Sequence, residues 1–301
     1  MQLINGNNIA KTFRFKLSEL VKQLERPPRL GIIQVGNDEA TEIYVGHKVS
    51  DAEEVGMQTH VWKKERATYE ELRQIIHDFN RNELIDGFLI QFPMPVDGNI
   101  TSLLKNIAPH KDIDGLNPIN LGSLWQGTEG FMPATVRAVL VALEYVARYS
   151  DNMYSVEELN PQVSSQHLSE FIEGKDIVII NHSFIVGKPL AALLVNLGGT
   201  VSICHHHTKN LKEYTQSADI VITATGKVGL LTSDMISEQA VLIDVGIKQT
   251  SDGVKGDVDS LSVQSKAGWL TPVPGGVGPL TRAMLLWNTL EAYTLQNKSH
   301  A

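Results

Sequence analysis

At 301 residues the chain is about twice a common domain length, and 42% hydrophobic with 20% charged residues excludes a disordered, fibrous or small disulfide-stapled protein in favour of two cores. A formal net charge of −8 argues against nucleic-acid backbones and anionic membrane surfaces as partners, while leaving local sites for small anions. No apolar run reaches the ~18 residues of a membrane span, MQLINGNNIAKTFRFK lacks an apolar signal core, and Cys204 has no second cysteine to pair with, so a cytoplasmic protein is expected.

Short β-like runs alternate with helical patterns through the first third. They are Arg29–Val35, a helix over EATEIYVGHKVSDAEEVG, the run MQTHVW, a helix over TYEELRQIIHDFNRN, and a run over 86–92. That alternation predicts βαβ units and a parallel sheet. Pro93 and Pro95 end the third run, because proline cannot donate to a ladder. A short helix over 99–108 precedes APHKDIDGLNPINLGSLWQG, a long irregular stretch of the kind that is often functional. Residues 132–150 are strongly helical. The polar stretch that follows reads as a linker or surface insertion, with a short helix around 156–159.

A second alternation runs KDIVIIN, a helix over VGKPLAALLVNLGG, TVSIC, a helix near 210–217, DIVITATG and AVLIDVGI. Strands this apolar predict a sheet covered on both faces, so the fold class is α/β with a Rossmann-like doubly wound parallel sheet in its second half. The tail is a Gly/Pro loop feeding a helix that returns to the first lobe. Residues 1–150 plus 271–301 are therefore assigned to one domain and 151–270 to the other.

IINHSFIVGKPLA runs strand, turn, helix, with Gly187 near the helix start, where backbone N–H groups can hold a phosphate. Asn181 and Ser183 stand where the first two glycines of the dinucleotide fingerprint would be, which keeps a purely structural turn open as the rival reading. About twenty residues on, where a ribose-binding acid is expected, the sequence reads Cys204-His205-His206-His207-Thr208-Lys209. Imidazoles there suit a phosphorylated ribose better than a carboxylate would. Consecutive histidines on an extended strand alternate faces, so no metal site is expected.

Tyr44 and Lys48 share a helix face at a spacing of four. A solvated lysine beside a core tyrosine is the plain reading of that pair. Gln91 at the carboxyl end of the third run and Asp114 in the irregular loop raise the functional one, although an Asp before Gly115 also serves turns.

The segments VGNDEATEIYVGHK, GFLIQFPMP, HKDIDGLNPINLG, the SxxVGxP core of HSFIVGKP, and PVPGGVGPLT resemble, in order, those of the bifunctional methylenetetrahydrofolate dehydrogenase/methenyltetrahydrofolate cyclohydrolase family, over roughly residues 6–289. The resemblance implies two αβα lobes around a folate-binding cleft, a nicotinamide cofactor on the second lobe, and a homodimer acting on tetrahydrofolate derivatives. It places the catalytic lysine on Lys48, its glutamine partner on Gln91, the stacking tyrosine on Tyr44 and the pterin-holding acid on Asp114, with Thr41 where a serine is usual. A neutral-leaning Lys48 would shuttle protons beside a cationic substrate, so its pKa is expected to fall in the complex. Gly275, Gly276, Pro279 and Thr281 would line the cleft. The cofactor would meet Asn181, His182, Ser183, Ile185, Gly187, His206, Thr225, Gly226, Val245, Gly246, Ile247 and Thr281.

The departures matter. The family's Gly-Arg-Ser turn is here Asn181-His182-Ser183, and His206 falls where a serine contacts the 2′-phosphate of NADP. Either the histidines together replace the arginine, giving NADP binding that strengthens as pH falls, or the phosphate is not read, giving NAD use or a feeble dehydrogenase. Pro133-Ala134-Thr135-Val136 replaces Pro-Cys-Thr-Pro, a change of packing, and the stretch 150–168 is longer than the usual connection. The leading reading is the bifunctional NADP enzyme. Its rivals are a cyclohydrolase with weak, lost or NAD-dependent dehydrogenase activity and a folate- or nucleotide-binding protein without turnover. A three-strand edge near VKGDVD is the candidate subunit contact.

Overall fold

The computed structural model describes residues 1–96, 99–150, 156–163 and 165–297. In chain order the elements begin with β1 (Gln2–Leu3), α1 (Gly6–Val21), β2 (Arg29–Val35), α2 (Glu39–Glu54), β3 (Gln58–Lys64), α3 (Tyr69–Arg81) and β4 (Gly87–Ile90). Next are α4 (Ile100–Leu104), α5 (Pro118–Gln126), α6 (Ala134–Ser150), α7 (Gln166–Ile172), β5 (Asp176–Ile180), α8 (Gly187–Asn196), β6 (Thr200–Cys204), α9 (Leu211–Thr215) and β7 (Ile220–Thr223). The chain closes with β8 (Val241–Asp244), β9 (Lys248–Thr250), β10 (Gly253–Lys255), α10 (Ser260–Val263), β11 (Trp269–Leu270) and α11 (Val277–Asn297). Two compact units result, Met1–Thr12 with Thr135–Thr281, and Phe13–Ala134 with Arg282–Ala301.

The unit built on Phe13–Ala134 has a three-stranded parallel sheet in the order β3-β2-β4. β2 is the central strand, buried over six of its seven residues, whereas β3 is an edge with mostly exposed side chains. Helix α3 starts on a reciprocal capping box, Thr68 with Glu71, and buries Leu72, Ile76 and Phe79. The Phe79 ring meets Phe88 of β4 edge-on at 5.3 Å. Asn288 of α11 donates to the carbonyls of Ile113 and Met132, which ties the last helix to the irregular loop.

The other unit holds a six-stranded sheet in the order β1-β11-β8-β7-β5-β6, with every pair parallel. Strands β7 and β8 are fully buried and β5 nearly so, the pattern of a sheet with helices on both faces. β5 pairs with β6 on one side and with β7 on the other, so the strand order reverses there. In open α/β sheets that reversal marks the ligand crevice at the carboxyl ends of the strands.

Several expectations differ from the structure. The expected division at residue 150 is replaced by one at Ala134, because Tyr145 and Tyr149 of α6 pack edge-on against Trp269 of β11, at 6.0 and 4.8 Å. β1 likewise joins β11, which carries the first twelve residues into the six-stranded unit. Helix α1 was not read from the sequence, yet Ile9, Phe13, Leu17 and Val21 recur every fourth residue and are all buried. Around VKGDVD there is a two-stranded antiparallel hairpin, β9 with β10, in place of a three-strand edge. The helix expected around 156–159 is a single 3-10 turn, Val156–Glu158, followed by buried Leu159 and Val163. Within the expected insertion at 150–168, residues 151–155 and 164 lie outside the described residues, and its end enters α7. Among the described residues no helix is long and apolar enough to cross a membrane.

Candidate active site

Helix α2 presents Tyr44 and Lys48 one turn apart, and the residue after β4 is Gln91, whose N–H donates to the Ile33 carbonyl at 2.9 Å. The ammonium of Lys48 donates to Gln91 Oε1 at 2.8 Å, and Gln91 Nε2 donates to the Phe92 carbonyl at 2.6 Å. The second bond orients the amide, so its oxygen faces the lysine. Burial pushes the Lys48 pKa below its ordinary value, while the charge of Asp114 opposes the shift. Asp114 responds in mirror fashion: burial pushes its carboxyl up and Lys48 pulls it down. Lys48, Gln91 and Asp114 thus form one group in which an amine can hold, accept and return a proton beside a carboxylate.

The loop that carries Asp114 has its own anchors. Gly115 has φ +63°, and a Cβ there would lie 2.6 Å from the Phe131 carbonyl oxygen, so only glycine fits this turn. Asp112 Oδ2 accepts from the Asn117 N–H at 2.6 Å and from Asn120 Nδ2 at 2.9 Å, whereas its buried Oδ1 has no hydrogen-bond partner among the described residues. Burial first, then the charge of Asp114, pushes the Asp112 carboxyl up to about 6. A folded-state pKa raised above the ordinary 3.8 means that Asp112 stabilises the fold fully below pH 3.8 and loses that contribution as pH rises through 6. Asp112→Asn should therefore flatten the pH dependence of stability between about pH 4 and pH 6.5, by about 3 kcal/mol at most. Urea unfolding of wild type and variant at those two pH values measures it, and equal slopes would refute it.

Tyr44 is 39% exposed, its hydroxyl pKa raised by burial and opposed by the nearby Arg282 charge. Arg282 was not singled out in the sequence. It donates to Asp51 at 2.6 Å and lies 3.4 Å from His47 Nδ1, both on α2, and only the return of α11 to this unit could have revealed it. Thr41 is 3% exposed in the first turn of α2, bonded to the capping Asp38.

The remaining candidates lie in the six-stranded unit. Asn181 follows β5 directly and bridges the crevice, its Nδ2 donating to the Ala224 carbonyl beyond β7 at 2.6 Å. Its Oδ1 accepts from Ser183 N–H (2.8 Å), Ser183 Oγ (2.7 Å) and Gly187 N–H (3.1 Å). The Gly187 amide, expected as a phosphate donor, is therefore already satisfied within the turn. Val186 N–H is also taken, by Ser183 Oγ at 3.2 Å, and Ile185 sits half-buried between them. A Cβ on Gly187 would stand 2.0 Å from the Asn181 carbonyl oxygen, which is the close helix–strand crossing that the last glycine of a dinucleotide fingerprint permits. Together with the strand reversal at β5, this crossing fits a dinucleotide.

Thr225 and Gly226 follow β7, and Val245, Gly246 and Ile247 follow β8. Two buried aspartates that the sequence reading passed over hold these loops. Asp257 Oδ2 accepts from Thr223 Oγ1 (2.7 Å), Thr225 N–H (2.6 Å) and Thr225 Oγ1 (2.8 Å). Asp244 accepts from the N–H groups of Gly246, Asp257 and Val258 at 2.9, 3.1 and 2.9 Å, and burial pushes its carboxyl up to about 7. Their signal was an acid embedded among apolar residues in AVLIDVGI and GDVD. In the PGGVG loop, the Gly275 carbonyl accepts from the Asn7 N–H at 3.2 Å and Gly276 is buried, while Pro279 lies in the first turn of α11 and Thr281 Oγ1 donates to the Val277 carbonyl at 3.1 Å.

His205, His206 and His207 occupy a turn beyond β6, not the strand itself, so the alternation argument against a metal does not apply to them. Among the described residues, no group of three or more His, Cys, Asp or Glu side chains can hold a metal ion.

A doubly wound parallel sheet with a close helix–strand crossing at Gly187, carried in one chain with a lysine set between an amide and a carboxylate, belongs to the nucleotide-binding α/β class. Comparison with known proteins narrows it. Residues 4–114 match the model of the tetrahydrofolate dehydrogenase/cyclohydrolase catalytic domain, and residues 163–297 match that of its NAD(P)-binding domain. The chain is 38% identical to the bifunctional protein FolD of Hydrogenobaculum sp., over 97% of this chain and 99% of that one. The bifunctional FolD methylenetetrahydrofolate dehydrogenase/cyclohydrolase structure from Campylobacter jejuni superposes with a TM-score of 0.86 at 37% identity, covering 98% of this chain and 99% of the other. The Trypanosoma brucei methylenetetrahydrofolate dehydrogenase-cyclohydrolase, solved with NADP cofactor and inhibitor, gives a TM-score of 0.85 at 30% identity, with 99% and 98% covered. The chain belongs to the tetrahydrofolate dehydrogenase/cyclohydrolase family.

Proposed function

We propose that the chain oxidises 5,10-methylenetetrahydrofolate to the 5,10-methenyl form with NADP and hydrolyses that product to 10-formyltetrahydrofolate. The observation that carries this reading is the 2.8 Å bond from Lys48 to Gln91, with Asp114 as the opposing charge. In the hydrolytic step water adds to the methenyl carbon and one of its protons leaves. As the bond from that carbon to N5 breaks, N5 gains a proton and the formyl group stays on N10. Lys48, shifted toward its neutral form, takes the first proton and returns one to N5, while Gln91 fixes the position of its nitrogen. Asp114, as a carboxylate, accepts from the pterin N–H groups, and the exposed ring of Tyr44 offers a stacking face.

The bound nicotinamide supplies the hydride acceptor for the oxidation. Asn181, Ser183 and Gly187 shape the turn that would hold the dinucleotide, and Asp257 and Asp244 hold the Thr225–Gly226 and Val245–Ile247 loops that would line its site. A cytoplasmic homodimer belongs to the same reading and rests on the family resemblance. One observation favours a weaker or NAD-dependent dehydrogenase as the second reading, namely that Asn181 Oδ1 occupies the Gly187 N–H. Supplying methylenetetrahydrofolate with NADP or NAD separates the two. The leading reading expects faster reduction of NADP, and hydrolysis of added methenyl substrate with no reduction of either nucleotide would overturn its oxidative half.

A further inference from the structure

The register of the central strands sets two turns side by side. Ile180, the last residue of β5, pairs with Cys204, the last of β6, so the turns that follow carry His182 and His205–His207 into one cluster. Ring centroids lie 4.8 Å apart for His182 and His205, 5.6 Å for His182 and His206, and 3.8 Å for His206 and His207. In a doubly wound dinucleotide fold, the carboxyl end of the second strand of the unit is where the adenosine ribose is read, by an acid for a free 2′-hydroxyl and by a cation for a 2′-phosphate. Here that strand is β6, and its end holds no acid.

We propose that His182 and His206, supported by His207, form a proton-gated subsite for the 2′-phosphate of NADP, so that this chain's preference for NADP over NAD is set by pH. The proposal rests on the dinucleotide reading above. His205 plays a different part, because its Nδ1 accepts the His207 N–H at 3.2 Å, a bond that holds the turn. His182, His206 and His207 are exposed, and among the described residues none has such a bond to a ring nitrogen. The charged neighbours do not pre-empt them. Lys209 in the same turn and Lys188 at the start of α8 are exposed cations. On α9, Lys212 is paired with Asp234 at 2.7 Å and Glu213 accepts from Asn210 at 2.9 Å. Among the described residues no carboxylate forms an ion pair with any of the four rings. Imidazoles crowded together with no acid beside them repel one another when charged, and a phosphate dianion between them removes that repulsion. Binding therefore draws protons in. Histidine ordinarily changes charge around pH ~6.5, close to working pH, whereas an arginine in the same place would stay charged throughout.

The test is the dissociation constants of NADP and NAD, by calorimetry on the purified full chain, at about pH 8 and about pH 6.5. Both lie above the second ionisation of a phosphate monoester, near ~6, so the ligand keeps most of its charge. NADP should bind about tenfold more tightly at the lower pH, the order expected when one further charge-assisted contact forms, and NAD should change by less than about twofold. The double variant His182→Gln with His206→Gln should lose the rise, while His182→Arg with His206→Gln should hold NADP tightly at both pH values. NADP affinity that does not vary with pH in the wild type, or a rise that survives in the double glutamine variant, overturns the subsite and leaves the dinucleotide reading standing. Failure of both nucleotides to bind the wild type overturns that reading, and the subsite with it.

Discussion

Lys48→Met should lower hydrolysis of methenyltetrahydrofolate about 1,000-fold, the usual scale for removing a positioned acid–base group. The side chain keeps its length and apolar stem, so a loss of this size reports the amine and not the packing of α2. Lys48→Arg should fail to restore the rate, because a guanidinium stays charged and its fork does not match the single Gln91 oxygen that receives the lysine at 2.8 Å. The wild-type rate should rise with pH as the amine of Lys48 loses its proton. Since burial lowers that pKa from 10.5, the rise should come below the ordinary lysine range. Steady-state hydrolysis of methenyl substrate across pH measures both effects. A Lys48→Met enzyme within tenfold of wild type would remove Lys48 from the chemistry.

Gly187→Ala should weaken NADP binding by about 5- to 150-fold while hydrolysis of methenyl substrate persists. The added Cβ would lie 2.0 Å from the Asn181 carbonyl oxygen and 2.9 Å from its Oδ1, so α8 must move off β5 or the turn must open. Either change breaks the bonds by which Asn181 holds Ser183 and Gly187, and overpacking of this kind costs about 1–3 kcal/mol. Lys48, Gln91 and Asp114 belong to the other unit and do not depend on that turn. Nucleotide titration and the hydrolysis assay on the same preparation test the separation. Wild-type affinity for NADP would show that the crossing at Gly187 does not shape the nucleotide site.

What was legible in the sequence was what depends on short spacings. Tyr44 and Lys48 share a face because a helix repeats every 3.6 residues, and Gln91 was placed by the end of an apolar run at Pro93. The parallel strands of both units were readable for the same reason. What escaped was set by partners far along the chain. The bond from the Asp257 N–H to Asp244 spans 13 residues, and Arg282 meets Asp51 across 231. The two-residue strand β1 has no pattern of its own and is defined only by its pairing with β11, which is why the division of the units fell elsewhere than expected. Asn181 looked like a defect in a glycine fingerprint. In the structure it supplies through its side chain the order of the turn, a role that no spacing rule encodes.

The central claim is that one chain performs two consecutive reactions, and coupled turnover tests it most directly. Purified protein given methylenetetrahydrofolate and NADP should produce reduced nucleotide and 10-formyltetrahydrofolate in equal amounts. With Lys48→Met, the same reaction should stop at the methenyl form. Absence of reduced nucleotide from wild-type enzyme that still hydrolyses added methenyl substrate would contradict the claim.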